Sequence, residues 1–222
     1  MPLTTWIAGA TGLTGGILLN RLIADIQYQP VIAPTRRDLA PAPGLQNPVN
    51  PNILDGISPY TSCDHAFCCL GTTIKTAGSK PAFHAIDHDL CLDFARLAHT
   101  SGCRHFLLIS AIGANPGSRI FYNRTKGQLE QALRQLSFPR LSIFQPSLLL
   151  GQRPQFRLLE ELGQKAVKLA NPILHGPLSP YHPIPTATLA AAMHHTAQTA
   201  PIPDQPVTRI YQYKQIIAHA SA

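Results

Sequence analysis

Charge is scarce in this sequence: Asp, Glu, Lys and Arg together make up 13% of 222 residues, and only 11 of them are acidic. Alongside a hydrophobic fraction of 45%, that scarcity describes a packed core under a weakly charged surface and excludes a disordered chain. Long apolar runs are missing too; none reaches the roughly 18 residues that a membrane-inserted helix needs. Basic runs are equally absent, Arg36-Arg37 being the single adjacent pair among 18 Lys and Arg. The net charge of +7 and the pI near 9.4 favour an anionic partner, but without a polybasic arm nucleic acid is not the expected one. The cysteines, Cys63, Cys68, Cys69, Cys91 and Cys103, are odd in number and show no CxxC spacing, which argues against a disulfide framework or a zinc ribbon. Cys68-Cys69 lies in the apolar run 66–70 and reads as a pair of small buried hydrophobes. With no secretory leader recognisable, a reducing, cytoplasmic location is the expectation.

What the sequence does have is alternation. Thr4 to Ala8 is a short apolar run that stops at Gly9, Gly12, Gly15 and Gly16, after which Ile17, Leu18, Arg21, Leu22 and Ile26 continue with helical spacing. A second strand is predicted at Pro30 to Ala33, and a weak third at Ile53 to Asp55, beyond a proline-rich stretch from Pro41 to Pro51. Buried strands are predicted at His65 to Leu70, Arg104 to Ser110 and Leu141 to Phe144, with helices over Lys80 to Thr100 and Tyr122 to Leu136. After Gly151 the pattern loosens into helices from Gln155 to Ala170 and Thr186 to Gln198, then a strand and helix from Arg209. Strands alternating with helices predict an α/β fold: a doubly wound, mostly parallel sheet with helices on both faces. The length suits one domain over 1–222, with 1–150 as a dinucleotide-binding core and 151–222 as a substrate-side extension.

Gly9, Gly12 and Gly15 give G-x-x-G-x-x-G between a strand and a helix. Missing side chains let backbone N–H groups approach a pyrophosphate at the positive end of that helix; a turn that merely packs helix against strand is the plainer alternative. At the end of the second strand an acidic residue takes the ribose 2′-hydroxyl of NAD, whereas Arg accommodates a 2′-phosphate. Arg36 and Arg37 stand there, so the expected cofactor is NADPH/NADP, with Asp38 as the one residue working against it. Asp55 is a candidate acceptor for the adenine amino group, or a loop cap.

Ser110 ends a predicted strand at the ligand edge, and Tyr122 and Lys126, four apart on the following helix, share one face. A phenol that titrates near ~10 alone becomes usable nearer neutrality when an ammonium favours its phenolate. Ser110 would hold a substrate carbonyl while Tyr122 donates a proton to its oxygen. Alone, Y-x-x-x-K also describes a half-buried tyrosine beside a solvated lysine; together with the glycine turn, the arginines and the upstream serine it favours catalytic geometry.

Gly9-Ala10-Thr11-Gly12-Leu13-Thr14-Gly15, Ser110-Ala111-Ile112-Gly113-Ala114 and Tyr122-Asn123-Arg124-Thr125-Lys126 occur in that order, and with them the chain resembles the atypical short-chain dehydrogenase/reductases. Within them it is similar to the Tat-interacting-protein-like branch; Phe83 to Asp89, Gln145 to Arg153 and His182-Pro183-Ile184-Pro185 share that likeness. The resemblance implies a compact NADPH-binding Rossmann protein, with Gly9, Thr11, Gly12, Leu13 and Gly15 at the pyrophosphate and Arg36 and Arg37 at the 2′-phosphate. It implies Leu70 and Gly71 along the adenosine ribose, Ser110, Tyr122 and Lys126 as catalytic residues, and Pro146, Ser147 and Leu148 beside the nicotinamide. One departure stands out: where the family carries an asparagine that supports a proton relay, this chain has Asp87. Two functions follow. One is an NADPH-dependent reductase of a carbonyl or similar small substrate; the other is a non-catalytic NADPH sensor with a regulatory protein partner.

The histidines read more plainly. His84 and His88, one helical turn apart, could hold a metal with Asp87, but no third ligand lies at a useful spacing, so a solvated helix face is expected and no metal site. His194-His195 reads as surface, and His175, Tyr181 and His182 as loop residues with either a pocket role or a structural one.

Overall fold

In the computed structural model, which describes residues 2–57, 62–150 and 180–221, the alternation of side chains along each central strand sets up two cores. Strands β1 (Leu3–Ala8), β2 (Tyr28–Ile32), β3 (Leu45–Gln46), β4 (His65–Cys68), β5 (His105–Ile109), β6 (Arg140–Phe144) and β9 (Val207–Tyr211) form one parallel sheet in the order 3-2-1-4-5-6-9. A separate short pair joins β7 (Leu149–Leu150) to β8 (Ile184–Pro185). Trp6, Ala8, Ala66, Cys68, Phe106 and Leu108 face one side, where α4 (Cys91–Thr100) and α5 (Phe121–Gln135) bring Phe94, Ala95, Leu129 and Leu133. Ile7, Phe67 and Leu107 face the other, against α1 (Leu13–Ala24), α6 (Thr186–Thr199) and α7 (Tyr213–Ala220), which supply Leu18, Leu22, Leu189, Met193 and Ile216. Burial on both faces is what a parallel sheet with right-handed crossovers demands, and it makes the predicted doubly wound α/β class the observed one.

Three local readings are corrected. The third strand is Leu45–Gln46, inside the proline-rich stretch and not at Ile53 to Asp55. Val31 N–H donates to Gly44 O and Ala33 N–H to Gln46 O, and flanking prolines keep the pairing short because they lack donors. Ile53 to Asp55 lies in a turn in which Asp55 N–H donates to Asn52 O. The predicted helix from Lys80 to Thr100 is preceded by a short α2 (Ile74–Ala77) and is itself composite: α3 (Lys80–His84), a π-helical turn (Ala85–Leu90) and α4. Residues 184–221 add a strand to the sheet and two helices to one of its faces. There α6 packs on α1, and β9 lengthens the sheet beside β6 in the register Arg140↔Val207 to Phe144↔Tyr211. His194, expected at the surface, is partly buried and bonded through Nε2 to Asp25 Oδ2 at 2.8 Å. The predicted helix from Gln155 to Ala170 and His175 lie outside the described residues.

Gly127 is required by close approach: a Cβ there would sit 2.2 Å from the Asn115 carbonyl carbon and 2.3 Å from Pro116 N, both backbone atoms that cannot rotate away. Gly127→Ala is expected to cost about 1–3 kcal/mol in urea unfolding. At the opposite, amino-terminal edge of the sheet, His65 and His105 are buried, their rings 5.4 Å apart, and His105 Nε2 bonds Ser142 Oγ at 2.9 Å. Burial, only partly opposed by Asp64, lowers the His65 pKa from 6.5 to about 4, and burial also holds His105 well below its ordinary value. Below pH 6.5 the unfolded chain binds protons that the fold refuses, so stability falls as pH drops from 6.5 toward 4, with His65 contributing roughly 3 kcal/mol over that window. Thermal melts should show this loss, and His65→Phe should flatten it.

Candidate cofactor and catalytic site

The sheet order changes direction between β1 and β4, and there the two carboxyl ends diverge to leave a crevice. Cys69 N–H donates to Ala8 O at 2.8 Å, holding the ends side by side. Gly9 follows with φ +86°, in the left-handed region, and a Cβ on it would meet the Cys69 carbonyl carbon at 2.6 Å. A Cβ on Gly15 would meet Gly9 O at 2.1 Å, so the start of α1 lies directly on the turn. Gly12 is the helix N-cap; no side chain caps it and no acidic residue occupies the first turn. The positive end of α1 is therefore bare, and exposed Thr11, exposed Gly12 and half-buried Leu13 border it. A cleft of about 550 Å³ opens beside this turn between α1 and the loop from Leu39 to Leu45. The side-chain-free cradle and uncapped helix fit a pyrophosphate.

Arg36 and Arg37 stand exposed after β2, and neither guanidinium joins an ion pair among the described residues. Asn47, which the sequence reading passed over, organises that loop. Its Nδ2 donates to Ala33 O and to Thr35 Oγ1, both at 2.7 Å, and its Oδ1 accepts from Leu39 N–H at 2.8 Å. Asp38 is exposed as well. Asp55 is exposed, and its Oδ1 accepts from Asn52 Nδ2 at 2.6 Å within its own turn.

The centre of the site is a buried ion pair. Lys126 Nζ lies 2.7 Å from Asp87 Oδ1, with side-chain exposures of 4% and 1%. Asp87 Oδ2 accepts from Thr72 N–H at 2.8 Å, tying the pair to the loop after β4, where half-buried Leu70 and exposed Gly71 run past it. A Cβ on Gly71 would stand 3.4 Å from Asp87 Oδ1 and 3.8 Å from Lys126 Nζ. Burial by itself pulls the Lys126 pKa down, but Asp87, with smaller help from Cys91 and Tyr122, outweighs it and the net shift is upward. Lys126 thus stays an ammonium. Tyr122 lies one turn earlier on α5, half-buried, its ring 5.5 Å from that of Phe83. Its pKa is raised: burial is the main cause, Lys126 pulls down, and Asp87 pushes up. The expectation that lysine brings the phenol toward neutrality is corrected accordingly. Lys126 pulls in the expected direction, but burial of the ring, with a smaller push from Asp87, outweighs it and the net shift is upward.

Ser110 is less available than expected. Its Oγ donates to Glu130 Oε1 at 2.6 Å, and no hydrogen bond links it to Tyr122 among the described residues. Glu130, 2% exposed, also accepts from Gln145 Nε2 at 2.8 Å and from Arg134 Nη2 at 3.3 Å. The signal for Glu130 was present in the sequence, since Tyr122, Lys126 and Glu130 are spaced by four along one helix face. Pro146, Ser147 and Leu148 leave β6, but their carbonyls and hydroxyl are partly engaged. Pro146 O accepts from Ile112 N–H, Leu148 O from Ile184 N–H, and Ser147 Oγ donates to His182 O. The Leu148 side chain remains 61% exposed, and Tyr181 nearby in sequence to His182 is 54% exposed.

No family model matches the chain. The chain is similar to Protein HTATIP2 of Rattus norvegicus, 37% identical over 168 residues that cover 73% of this chain and 69% of that protein. It is also similar to Protein FMP52-1, mitochondrial, of Scheffersomyces stipitis, 31% identical with 96% and 97% of the two chains covered. Among solved structures, a short chain dehydrogenase family protein from Francisella tularensis superposes with TM-score 0.61 at 12% identity over 100% of both chains. UDP-glucuronic acid 4-epimerase from Bacillus cereus in complex with NAD gives TM-score 0.64 at 13% identity, covering 96% of this chain and 78% of that one. These structural likenesses establish the Rossmann fold. The cytoplasmic expectation is overturned by the FMP52 relatives, which are mitochondrial proteins by name, that of Saccharomyces cerevisiae among them. Free thiols suit any reducing compartment, so the cysteines could not discriminate.

Asp87→Asn is expected to cost about 3–5 kcal/mol of stability, because it leaves the Lys126 ammonium buried without its counter-ion. Adding Lys126→Met should return part of that loss in a urea double-mutant cycle; strictly additive losses would show that the two groups do not act as a pair.

Proposed function

This chain belongs to the atypical short-chain dehydrogenase/reductase family, on the branch of HTATIP2 and FMP52, and from that premise we propose that it is an NADPH-dependent oxidoreductase reducing a carbonyl or similar small substrate. The observation that carries the reading is the buried Asp87–Lys126 pair at 2.7 Å, one helical turn from half-buried Tyr122, at the carboxyl edge of the sheet beside the glycine turn. Gly9, Thr11, Gly12, Leu13 and Gly15 would hold the pyrophosphate, Arg36 and Arg37 the 2′-phosphate, and Leu70 and Gly71 the ribose. Bound there, the nicotinamide supplies a hydride to an electrophilic carbon.

The chain's own residues handle the proton. As the C=O π bond breaks, Tyr122 Oη donates its proton to the oxygen, forming the O–H bond, and the tyrosinate left behind recovers a proton from water. Lys126, kept charged by Asp87, stabilises the tyrosinate at the moment it forms. Ser110, its own proton held by Glu130, presents lone pairs to the site and so accepts from Tyr122 or from a substrate hydroxyl. The same commitment of Ser110 favours a second reading, in which the chain is a non-catalytic NADPH sensor that binds a regulatory protein partner without turnover.

Calorimetry should find NADPH bound at least about tenfold more tightly than NADH, with the ratio collapsing in Arg36→Ala/Arg37→Ala. Tyr122→Phe should abolish NADPH oxidation across a carbonyl panel while leaving NADPH affinity nearly unchanged. Equal affinity for NADH removes the 2′-phosphate assignment; tight NADPH binding with no oxidation by the unsubstituted protein selects the sensor.

A further inference from the structure

The π-helical turn Ala85–Leu90 sorts two carboxylates to opposite sides. On an ordinary helix, residue 89 would point about 140° away from residue 84, and no shared face would form. A π-turn bonds i to i+5 and brings residues five apart into line. Here it turns Asp87 inward to Lys126, 1% exposed, and turns Asp89 outward, 53% exposed, onto His84 and His88. His84 Nδ1 lies 3.1 Å from Asp89 Oδ2, and His88 Nδ1 lies 2.8 Å from Asp89 Oδ1. The two imidazoles stack with centroids 4.5 Å apart, and one ligand atom from each of the three residues falls within 4.8 Å of the others. The third ligand that the spacing of the sequence did not supply is thus Asp89, not Asp87.

The geometry points to a surface site for a borderline divalent cation of the zinc class, held by His84, His88 and Asp89 with its remaining position open to water. Imidazole nitrogen and carboxylate oxygen are the donors such ions take, at about 2.0–2.2 Å, and two donors on a tetrahedral ion then stand roughly 3.3 Å apart. The nitrogen–oxygen separations of 3.1 and 2.8 Å run to the two different oxygens of Asp89, so one oxygen can join both ring nitrogens around an ion after a small turn of the carboxylate, the three donor atoms already lying within 4.8 Å, and the ion takes the place of the protons now shared between the rings and the carboxylate. Side-chain exposures of 36% at His84 and 53% at Asp89 give the ion a path in from solvent. An ion there staples the end of α3 to the π-turn, the segment whose inner side presents Asp87 to Lys126.

Zinc chloride titrated into the purified, untagged full chain should bind in a single-site calorimetric isotherm and raise the thermal midpoint. Asp89→Asn and His88→Asn should each weaken zinc at least about tenfold and remove the thermal shift. His195→Asn, on the far helical layer, should leave both unchanged. The metal-free melting of Asp89→Asn should match that of the unsubstituted chain, since Asp89 lies on the surface. Absence of binding, or zinc affinity that Asp89→Asn leaves intact, overturns the site and assigns any residual binding to scattered surface histidines.

Discussion

The buried contact between Asp87 and Lys126 is the constraint around which the site is built. It joins three segments distant in sequence: the π-turn that carries Asp87, the loop after β4 whose Thr72 N–H reaches the same carboxylate, and α5, which carries Lys126. Two charges removed from water at 4% and 1% exposure are costly, and only a short contact with further hydrogen bonds offsets the desolvation. A well-packed pair of hydrophobes would stabilise the fold at least as well. The pair is better understood by what it does to Tyr122: it sets an ammonium that lowers the phenol's pKa beside a carboxylate that raises it, the ammonium's effect being the larger of the two. Under the proposed function, that ammonium would be available when negative charge develops on the tyrosine oxygen, a difference between states of the kind catalysis uses.

The departure from a straight helix serves the same pair. A regular helix over Lys80 to Thr100 carries an amphipathic pattern that the sequence shows clearly, and α4 uses it to bury Phe94, Ala95 and Ala98 against β1, β4 and β5. Holding that face in register while also aiming Asp87 at Lys126 takes one extra residue in the turn, and Ala85–Leu90 provides it. Because an inserted residue rotates everything around it, the outward cluster of His84, His88 and Asp89 is the geometric counterpart of the inward Asp87.

The strands and the glycine turn were legible because their signals are local: short continuous apolar runs in β1, β4 and β5, buried on both faces, and glycines between a strand and a helix. The cofactor edge follows from those and from the arginines after β2. What was not legible rests on contacts made across the sequence. Asn47 acts on Ala33 and Thr35 through a two-residue strand too short to show a period, and Asp87 looked like a flaw in a relay until Thr72 and Lys126 appeared on its two oxygens. The net shift of Tyr122 was not legible either: Lys126 lowers its pKa, as the spacing of four suggests, but burial of the ring first, and Asp87 second, raise it. Burial of the ring and the facing carboxylate are tertiary facts, invisible to a spacing of four.

The carboxyl-terminal part of the chain enters the argument through Glu130. That carboxylate receives Ser110 Oγ on one side and Gln145 Nε2 on the other, and Gln145 Oε1 in turn accepts from Gln212 Nε2 at 3.0 Å. Gln145 N–H also donates to Tyr211 O, the last residue of β9, and Gln212 is the N-cap of α7. The orientation of Ser110 is therefore set by a buried chain of side chains that ends on the seventh strand of the sheet. Were β9 and α7 an appendage over the substrate, their loss would alter the pocket and spare Ser110. As the structure stands, they close the network that holds the Ser110 hydroxyl on Glu130, so the candidate site and the far strand are joined by one set of hydrogen bonds.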